Sequence, residues 1–259
     1  MKSKELKTIF ITLVLAFASL TVYAQPKVVA HRGYWRTEGS AQNSITSLQK
    51  AAAIGCYGSE FDVWLTVDGV PVVFHDATIN GIRIEDATYA ELMNHRLANG
   101  EFIPTLQQYL LEGSKLEGCQ LILEIKPHST DQRDERIVQR CLELVHMLKL
   151  QKRTEYISFS KHACEYLHAQ EPNAKIAYLN GDISPKDIKT IGLTGIDYHF
   201  NVFKKHPEWL TESQQLGVEV NVWTVDGEEA LAEFANLKGI DIITTNDPEI
   251  LGNIIKKSK

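Results

Sequence analysis

Residues 58–75 read Gly58-Ser59-Glu60-Phe61-Asp62-Val63-Trp64-Leu65-Thr66-Val67-Asp68-Gly69-Val70-Pro71-Val72-Val73-Phe74-His75. Side chains two apart on a strand share a face. Glu60 and Asp62 therefore point one way, and Phe61, Val63 and Leu65 the other. Asp68-Gly69 between two β-branched runs is a hairpin signal. The run at 70–75 is then antiparallel to the run at 58–65, and it is not the next strand of a parallel sheet.

Outward from this stretch the chain alternates short apolar runs with amphipathic ones. The strand candidates are 27–31, 58–65, 120–126, 155–160, 174–180, 195–200, 218–224 and 240–245. Helical patterns fill 44–54, 106–112, 131–150, 161–170, 185–191, 207–216, 228–236 and 248–256. Strand followed by helix, eight times, needs crossover connections and hence parallel strands. Eight such units at this length predict an α/β fold, a closed (β/α)8 TIM barrel. An open doubly wound sheet is the alternative, but no Gly-rich phosphate fingerprint follows the first strand. The hairpin leads into a small insertion after the second barrel strand, at about 76–104, before Pro104-Thr105-Leu106 opens the next helix. Material inserted after a barrel strand lies at the C-terminal face, where barrel enzymes keep their active sites.

The 259 residues are 44% hydrophobic and 23% charged, with a net charge of −6. Such values belong to a globular chain and exclude collagen-like, disordered and multi-span membrane classes. No basic face is expected, so nucleic acid is not a predicted partner.

Residues 1–24 read as a signal peptide. Lys2, Lys4 and Lys7 precede an apolar run, and Val22-Tyr23-Ala24 sets up cleavage before Gln25. Export across the inner membrane, to a periplasm, is the expected route, with no stable membrane insertion once the segment is removed. The barrel domain is then 25–259. Without residues 1–24, which hold three lysines and one glutamate, 24 basic and 32 acidic residues remain, a net charge of −8. The spacing of Cys56, Cys119, Cys141 and Cys164 matches no zinc pattern, and the apolar neighbours of Cys56, Cys119 and Cys141 suggest buried free thiols, with a single disulfide as the alternative.

Chemistry gathers at the ends of the early strands. The first ends in Ala30-His31-Arg32-Gly33. Two carboxylates on one face of an apolar strand repel each other in a dry core. A bound cation removes that repulsion, and oxygen ligands suit Ca²⁺ or Mg²⁺. In Leu121-Ile122-Leu123-Glu124-Ile125-Lys126, Glu124 offers a third oxygen ligand and Lys126 can face an anion. The bland alternative is a buried Glu–Lys network that only braces the barrel. His31 and His75 both end strand-like runs that must converge, which suggests a general acid and a general base. Arg32 and Lys126 would neutralise a phosphodiester.

His31-Arg32-Gly33, Gln42-Asn43-Ser44, Glu60-Phe61-Asp62-Val63, Thr66–Val72, His75-Asp76 and Glu124-Ile125-Lys126 together resemble the glycerophosphodiester phosphodiesterase family. A weaker match continues through Asn221–Val225 and 239–248. The resemblance implies hydrolysis of a small-molecule glycerophosphodiester to sn-glycerol 3-phosphate and an alcohol. It implies one divalent cation, Ca²⁺ or Mg²⁺, on Glu60, Asp62 and Glu124. It implies His31 and His75 as the acid–base pair, Arg32 and Lys126 on the phosphate, and Trp223 against the glycerol. Three positions depart from the family pattern. Gln42 replaces an acid, Asn246 replaces an acid, and Asn80-Gly81 stands where an arginine is usual. Altered substrate preference is the expected consequence. Two rival readings stay open: a phosphoinositide-type phospholipase C, and a non-catalytic barrel that binds phosphorylated glycerol.

Overall fold

The computed structural model describes residues 25–257, so the expected signal peptide lies outside the described residues. The chain runs β1 (Lys27–Ala30), α1 (Ile45–Ala53), β2 (Gly58–Leu65), β3 (Pro71–Val73), β4 (Thr78–Ile79), β5 (Ile82–Arg83), α2 (Tyr89–Leu92), α3 (Leu106–Gly113), β6 (Gln120–Ile125) and α4 (Asp131–Met147). It continues through β7 (Thr154–Ser158), α5 (Lys161–Gln170), β8 (Ile176–Tyr178), α6 (Pro185–Thr190), β9 (Gly195–His199), α7 (Phe200–Lys205), α8 (Glu208–Leu216), β10 (Glu219–Trp223), α9 (Glu228–Ala235), β11 (Ile242–Thr245) and α10 (Pro248–Lys257).

The eight parallel strands are ordered β1-β11-β10-β9-β8-β7-β6-β2, and β1 pairs again with β2 to close the cylinder. This is a (β/α)8 TIM barrel. Strand alternation divides its side chains between two layers. Phe61, Val63, Leu65, Leu123, Ile125, Ile196, Tyr198, Val220, Val222 and Ile243 face outward into the large core beneath the helices. Val29, Ile122, Ile157, Ala177, Leu179 and Ile242 fill the interior of the cylinder. The strands are buried on both faces, which is why their runs read as nearly continuous apolar stretches. All four cysteines are free and buried.

β3 lies antiparallel against β2, with Val63 opposite Val73 and Leu65 opposite Pro71. Gly69 takes a positive φ of 79° in the intervening turn, as the Asp-Gly pair requires. Beyond β3 come the β4–β5 hairpin and α2. This small insertion has its own core of Trp64, Val72, Ile79, Ile84, Leu92 and Ile103. Glu85, buried, ties it to the barrel by accepting from Ser129 Oγ at 2.6 Å and meeting Arg133 Nε at 2.8 Å.

Two details differ from the pattern reading. β8 is only three residues long, because Ala174 and Lys175 precede the ladder and Leu179 follows it. Helix α7 starts on the last residue assigned to the sixth strand run, Phe200. The periodicity of 200–205 is too short to separate from the strand before it.

Candidate active site

His31 follows β1, and its backbone N–H continues the parallel ladder to the Thr245 carbonyl at 2.9 Å. The chain then turns sharply. Arg32 has a φ of 55°, left-handed backbone that costs a side-chain-bearing residue energy. Gly33 follows with a φ of 74°, and a Cβ there would fall 2.3 Å from Ser47 Oγ. This turn aims the Arg32 N–H at Glu60 Oε2, 2.7 Å away. It also brings the Arg32 guanidinium to Gln42 Oε1 at 2.6 Å and within 3.7 Å of Asp62. Gln42 therefore keeps a hydrogen bond to Arg32 without the charge of an acid.

Glu60 and Asp62 project inward from β2 and Glu124 from β6; all three are buried, and carboxylate oxygens of the three lie within 4.8 Å of one another. Asn43, at a φ of 60°, clamps Asp62 from two sides. Its Nδ2 donates to Asp62 Oδ2 at 2.8 Å and its Oδ1 accepts from the Asp62 backbone N–H at 3.1 Å. Lys126 Nζ stands 2.7 Å from both Asp62 and Glu124. His75 comes in on the end of the β3 run, held where the Phe74 N–H meets the Asp62 carbonyl at 3.0 Å. His75 Nδ1 lies 2.7 Å from Asp76 Oδ1.

The electrostatics of this rim are out of balance. Burial, then the charges of Asp62 and Glu124, push the Glu60 carboxyl well above its usual range. Burial and Asp62 carry Glu124 up to about 7, with Lys126 only partly opposing. Burial also acts upward on Asp62, but Lys126, His75 and Asn43 outweigh it and leave Asp62 at about 2. Burial, joined by the Arg32 charge, lowers His31 to about 4. His75 is lowered as well, chiefly by burial. Both shifts favour the neutral imidazole, the form in which a histidine can take a proton.

Glu60 Oε1 is buried with no hydrogen-bond partner among the described residues. The Lys126 ammonium and the Arg32 guanidinium are two charges against three buried carboxylates, and an unpaired buried charge is costly. An all-oxygen set with a spare, aimed lone pair is what a hard divalent cation needs. The residues present therefore fit a metal, with Glu60, Asp62 and Glu124 as its ligands.

His31, Arg32, Glu60, His75, Glu124 and Lys126 line one half of a cleft of about 150 Å³. The other half is Ile157, Phe159, Leu179, Trp223, Thr244 and Asp197. Trp223 is fixed by donating from Nε1 to the Asp197 carbonyl at 2.9 Å, and it packs edge-on against Phe159 and His199. Seven of the eight residues singled out from sequence line this cleft, and the eighth, Asp62, stands directly behind Lys126 and Arg32. Sequence reasoning missed Asp197 and Phe159. Asp197 sits on the inward phase of β9, and Phe159 continues the inward phase of β7 one residue past its end, and that phase was the available signal. It also missed Trp35 and Asp226, which lie in loops and give no periodic cue.

Residues 31–250 match the model of the glycerophosphoryl diester phosphodiesterase family. A glycerophosphodiester phosphodiesterase of Caldanaerobacter subterraneus is 28% identical over 246 residues, covering 89% of this chain and 98% of its own. Among solved structures, a glycerophosphodiester phosphodiesterase from Parabacteroides distasonis is 47% identical, with a TM-score of 0.89 over 90% of this chain and 98% of its own. A phosphodiesterase of Oleispira antarctica, solved with the product sn-glycerol-3-phosphate, is 25% identical, with a TM-score of 0.77 over 90% of this chain and 97% of its own. The chain belongs to the glycerophosphoryl diester phosphodiesterase family.

Proposed function

We propose that this protein is a metal-dependent glycerophosphodiesterase that uses His31 and His75 as its acid–base pair. The observation that carries the reading is the convergence of two imidazoles, two cations and three buried carboxylates on one small cleft. The cleft is small, about 150 Å³. That suits a glycerol phosphate unit and leaves the alcohol outside, so the site reads the glycerol side of the diester.

Arg32 and Lys126 hold the phosphate and offset its charge. Trp223 and Phe159 give the glycerol carbons an apolar wall. One histidine takes the proton from the glycerol hydroxyl next to the phosphoester. That oxygen attacks phosphorus while the other histidine, which takes up a proton from solvent beside the bound anionic diester, passes that proton to the departing alkoxide, leaving a cyclic phosphate and a free alcohol. Water then opens the ring with the histidine roles reversed, yielding sn-glycerol 3-phosphate. An internal nucleophile carries a high effective concentration. A cation on Glu60, Asp62 and Glu124 would polarise a phosphoryl oxygen as a Lewis acid. The charged residues at 2–7 and the apolar run that follows support export to the periplasm.

The test is turnover of glycerophosphocholine and glycerophosphoethanolamine with and without chelator. Hydrolysis is expected, lost on chelation and regained with Mg²⁺ or Ca²⁺. Undiminished hydrolysis after complete metal removal refutes the metal role. Metal binding without hydrolysis of either diester favours a barrel that only binds phosphorylated glycerol.

A further inference from the structure

Behind His31, on the side away from the cleft, stands an amide whose orientation is fixed twice over. Asn246 follows β11, and its Oδ1 accepts from Trp35 Nε1 at 2.9 Å. An indole nitrogen can only donate. Asn246 Nδ2 donates to Asp226 Oδ2 at 2.7 Å. Turning the amide over would set N–H against N–H at Trp35 and oxygen against oxygen at Asp226. Asp226 is built to stay ionised. Its Oδ1 accepts from the Asn246 backbone N–H at 2.9 Å and from Thr245 Oγ1 at 3.2 Å, and its Oδ2 also accepts from Arg36 at 3.1 Å.

The same Asn246 Oδ1 lies 2.9 Å from His31 Nδ1. An amide oxygen has no proton to give, so the proton in this contact is on His31 Nδ1. A neutral imidazole carries one N–H, which leaves Nε2 bare. Nε2 is the nitrogen on the cleft side, 4.0 Å from Glu60 Oε2.

We propose that Asn246 and Asp226 are positioning residues: an ionised carboxylate, acting through one intervening amide, holds His31 as its Nδ1–H tautomer and leaves Nε2 free to accept a proton in the cleft. Position 246 is one of the departures from the family pattern. The amide there keeps the acceptor for His31, and the negative charge stands one step further back, in the loop after β10. The consequence for the reaction rests on the reading of His31 as an acid–base group; the tautomer itself does not.

The experiment is a ¹⁵N long-range correlation spectrum of the histidine rings in the labelled protein, without substrate, with His31 assigned by its loss in His31→Gln. The wild-type ring should carry its proton on Nδ1. Asn246→Leu should release the ring toward the Nε2–H form. It should also cut kcat roughly 10- to 100-fold, the usual scale for losing a partner that orients a functional imidazole, while KM stays nearly constant. The exchange Asn246→Asp with Asp226→Asn supplies an acceptor to His31 and a donor behind it. It should keep the Nδ1–H form and recover most of kcat. A wild-type ring protonated on Nε2 overturns the proposal, as does Asn246→Leu with both tautomer and kcat unchanged. Should Asn246→Leu fail to fold, the exchange variant decides, and loss of the Nδ1–H form in it is fatal. Because the tautomer is read without turnover, a protein that shows it but hydrolyses no glycerophosphodiester sinks the functional reading and leaves the Nδ1–H assignment supported.

Discussion

At the N-terminal end of the barrel, Lys175 Nζ lies 3.1 Å from Glu155 and 3.4 Å from Glu219, and Lys27 lies 3.7 Å from Glu219. Two cations face two anions, and Lys27 also covers the ring of Tyr57. At the C-terminal end, Glu60, Asp62 and Glu124 face only the Lys126 ammonium and the Arg32 guanidinium, and Glu60 Oε1 has no hydrogen-bond partner among the described residues. Both ends present acids and lysines from inward strand positions. One is neutralised by its own side chains, and the other keeps a surplus of negative charge that folding alone gives no reason to retain. In a closed barrel the N-terminal end serves stability and the C-terminal end carries chemistry. The contrast makes the charge imbalance, rather than the presence of charge, the mark of the candidate active face.

The hardest blow to this contrast comes from the histidines. His31→Ala and His75→Ala should each lower kcat by about 10²–10⁴-fold, the range for removing a general acid or base, with the melting temperature essentially unchanged. Glycerophosphocholine turnover and thermal melts measure both. A variant that melts early and turns over normally would move that histidine to the structural side of the divide.

Asp197 lies between the two ends and probes the imbalance through stability. Burial first, then the charges of Glu124, Glu219 and Glu155, raise its carboxyl to about 8. A raised carboxyl binds its proton more tightly in the folded protein than in the unfolded chain. Its contribution is therefore fully present below about pH 4 and is lost as pH rises toward 8, by at most about 1.4 kcal/mol per pH unit. In metal-free protein, Asp197→Asn should thus gain on the wild type as pH climbs through this window and level off above it. Denaturant melts at pH 4, 6 and 8 follow the difference, and a constant offset would show Asp197 ionised throughout.

Glu60→Gln tests the surplus directly. It removes the least compensated carboxylate, so calorimetric titration with Mg²⁺ or Ca²⁺ should show affinity falling about tenfold or more, in line with loss of one oxygen ligand. The metal-free variant should melt no lower than the wild type, and above it at pH 8, because a repelling charge has gone. Unchanged affinity would remove Glu60 from the ligand set.

Much of this was legible beforehand because the barrel writes itself in period. Glu60 and Asp62 two apart within an apolar strand, with Glu124 and Lys126 repeating the device, pointed to the acidic cluster that the fold gathers at one rim of the barrel. The hairpin at Asp68-Gly69 explained why the ninth run was no barrel strand. What stayed hidden depends on chain crossings that no local pattern records. Trp35, Asp226 and Asn246 meet behind His31 from three loops, and their hydrogen bonds span 20 to 211 positions in sequence. Helix α7 was hidden for another reason: it begins on the residue after β9 with no turn residue between. The opposite end of the barrel was illegible as well, since Lys27, Glu155, Lys175 and Glu219 look like ordinary surface charges until strand register brings them together.

That paired end offers the mildest test and the one most able to blur the comparison. Lys175 is the shared partner of Glu155 and Glu219, and Glu155 is the more buried of the two acids. Lys175→Met keeps the stem that covers the strand ends and removes only the charge. The lysine is half exposed, so solvent screens much of the interaction, and the loss should be about 1 kcal/mol rather than the 3–5 of a fully buried pair. Glu155 would remain with only the Tyr57 hydroxyl. Denaturant unfolding should show the midpoint falling with its slope unchanged. Turnover and metal affinity should stay at wild-type values, because the substitution lies at the far end of the cylinder from the cleft. A variant that kept its stability but lost activity would mean the two ends are coupled through the barrel interior, and Asp197, which feels the charges of both, would be the residue joining them.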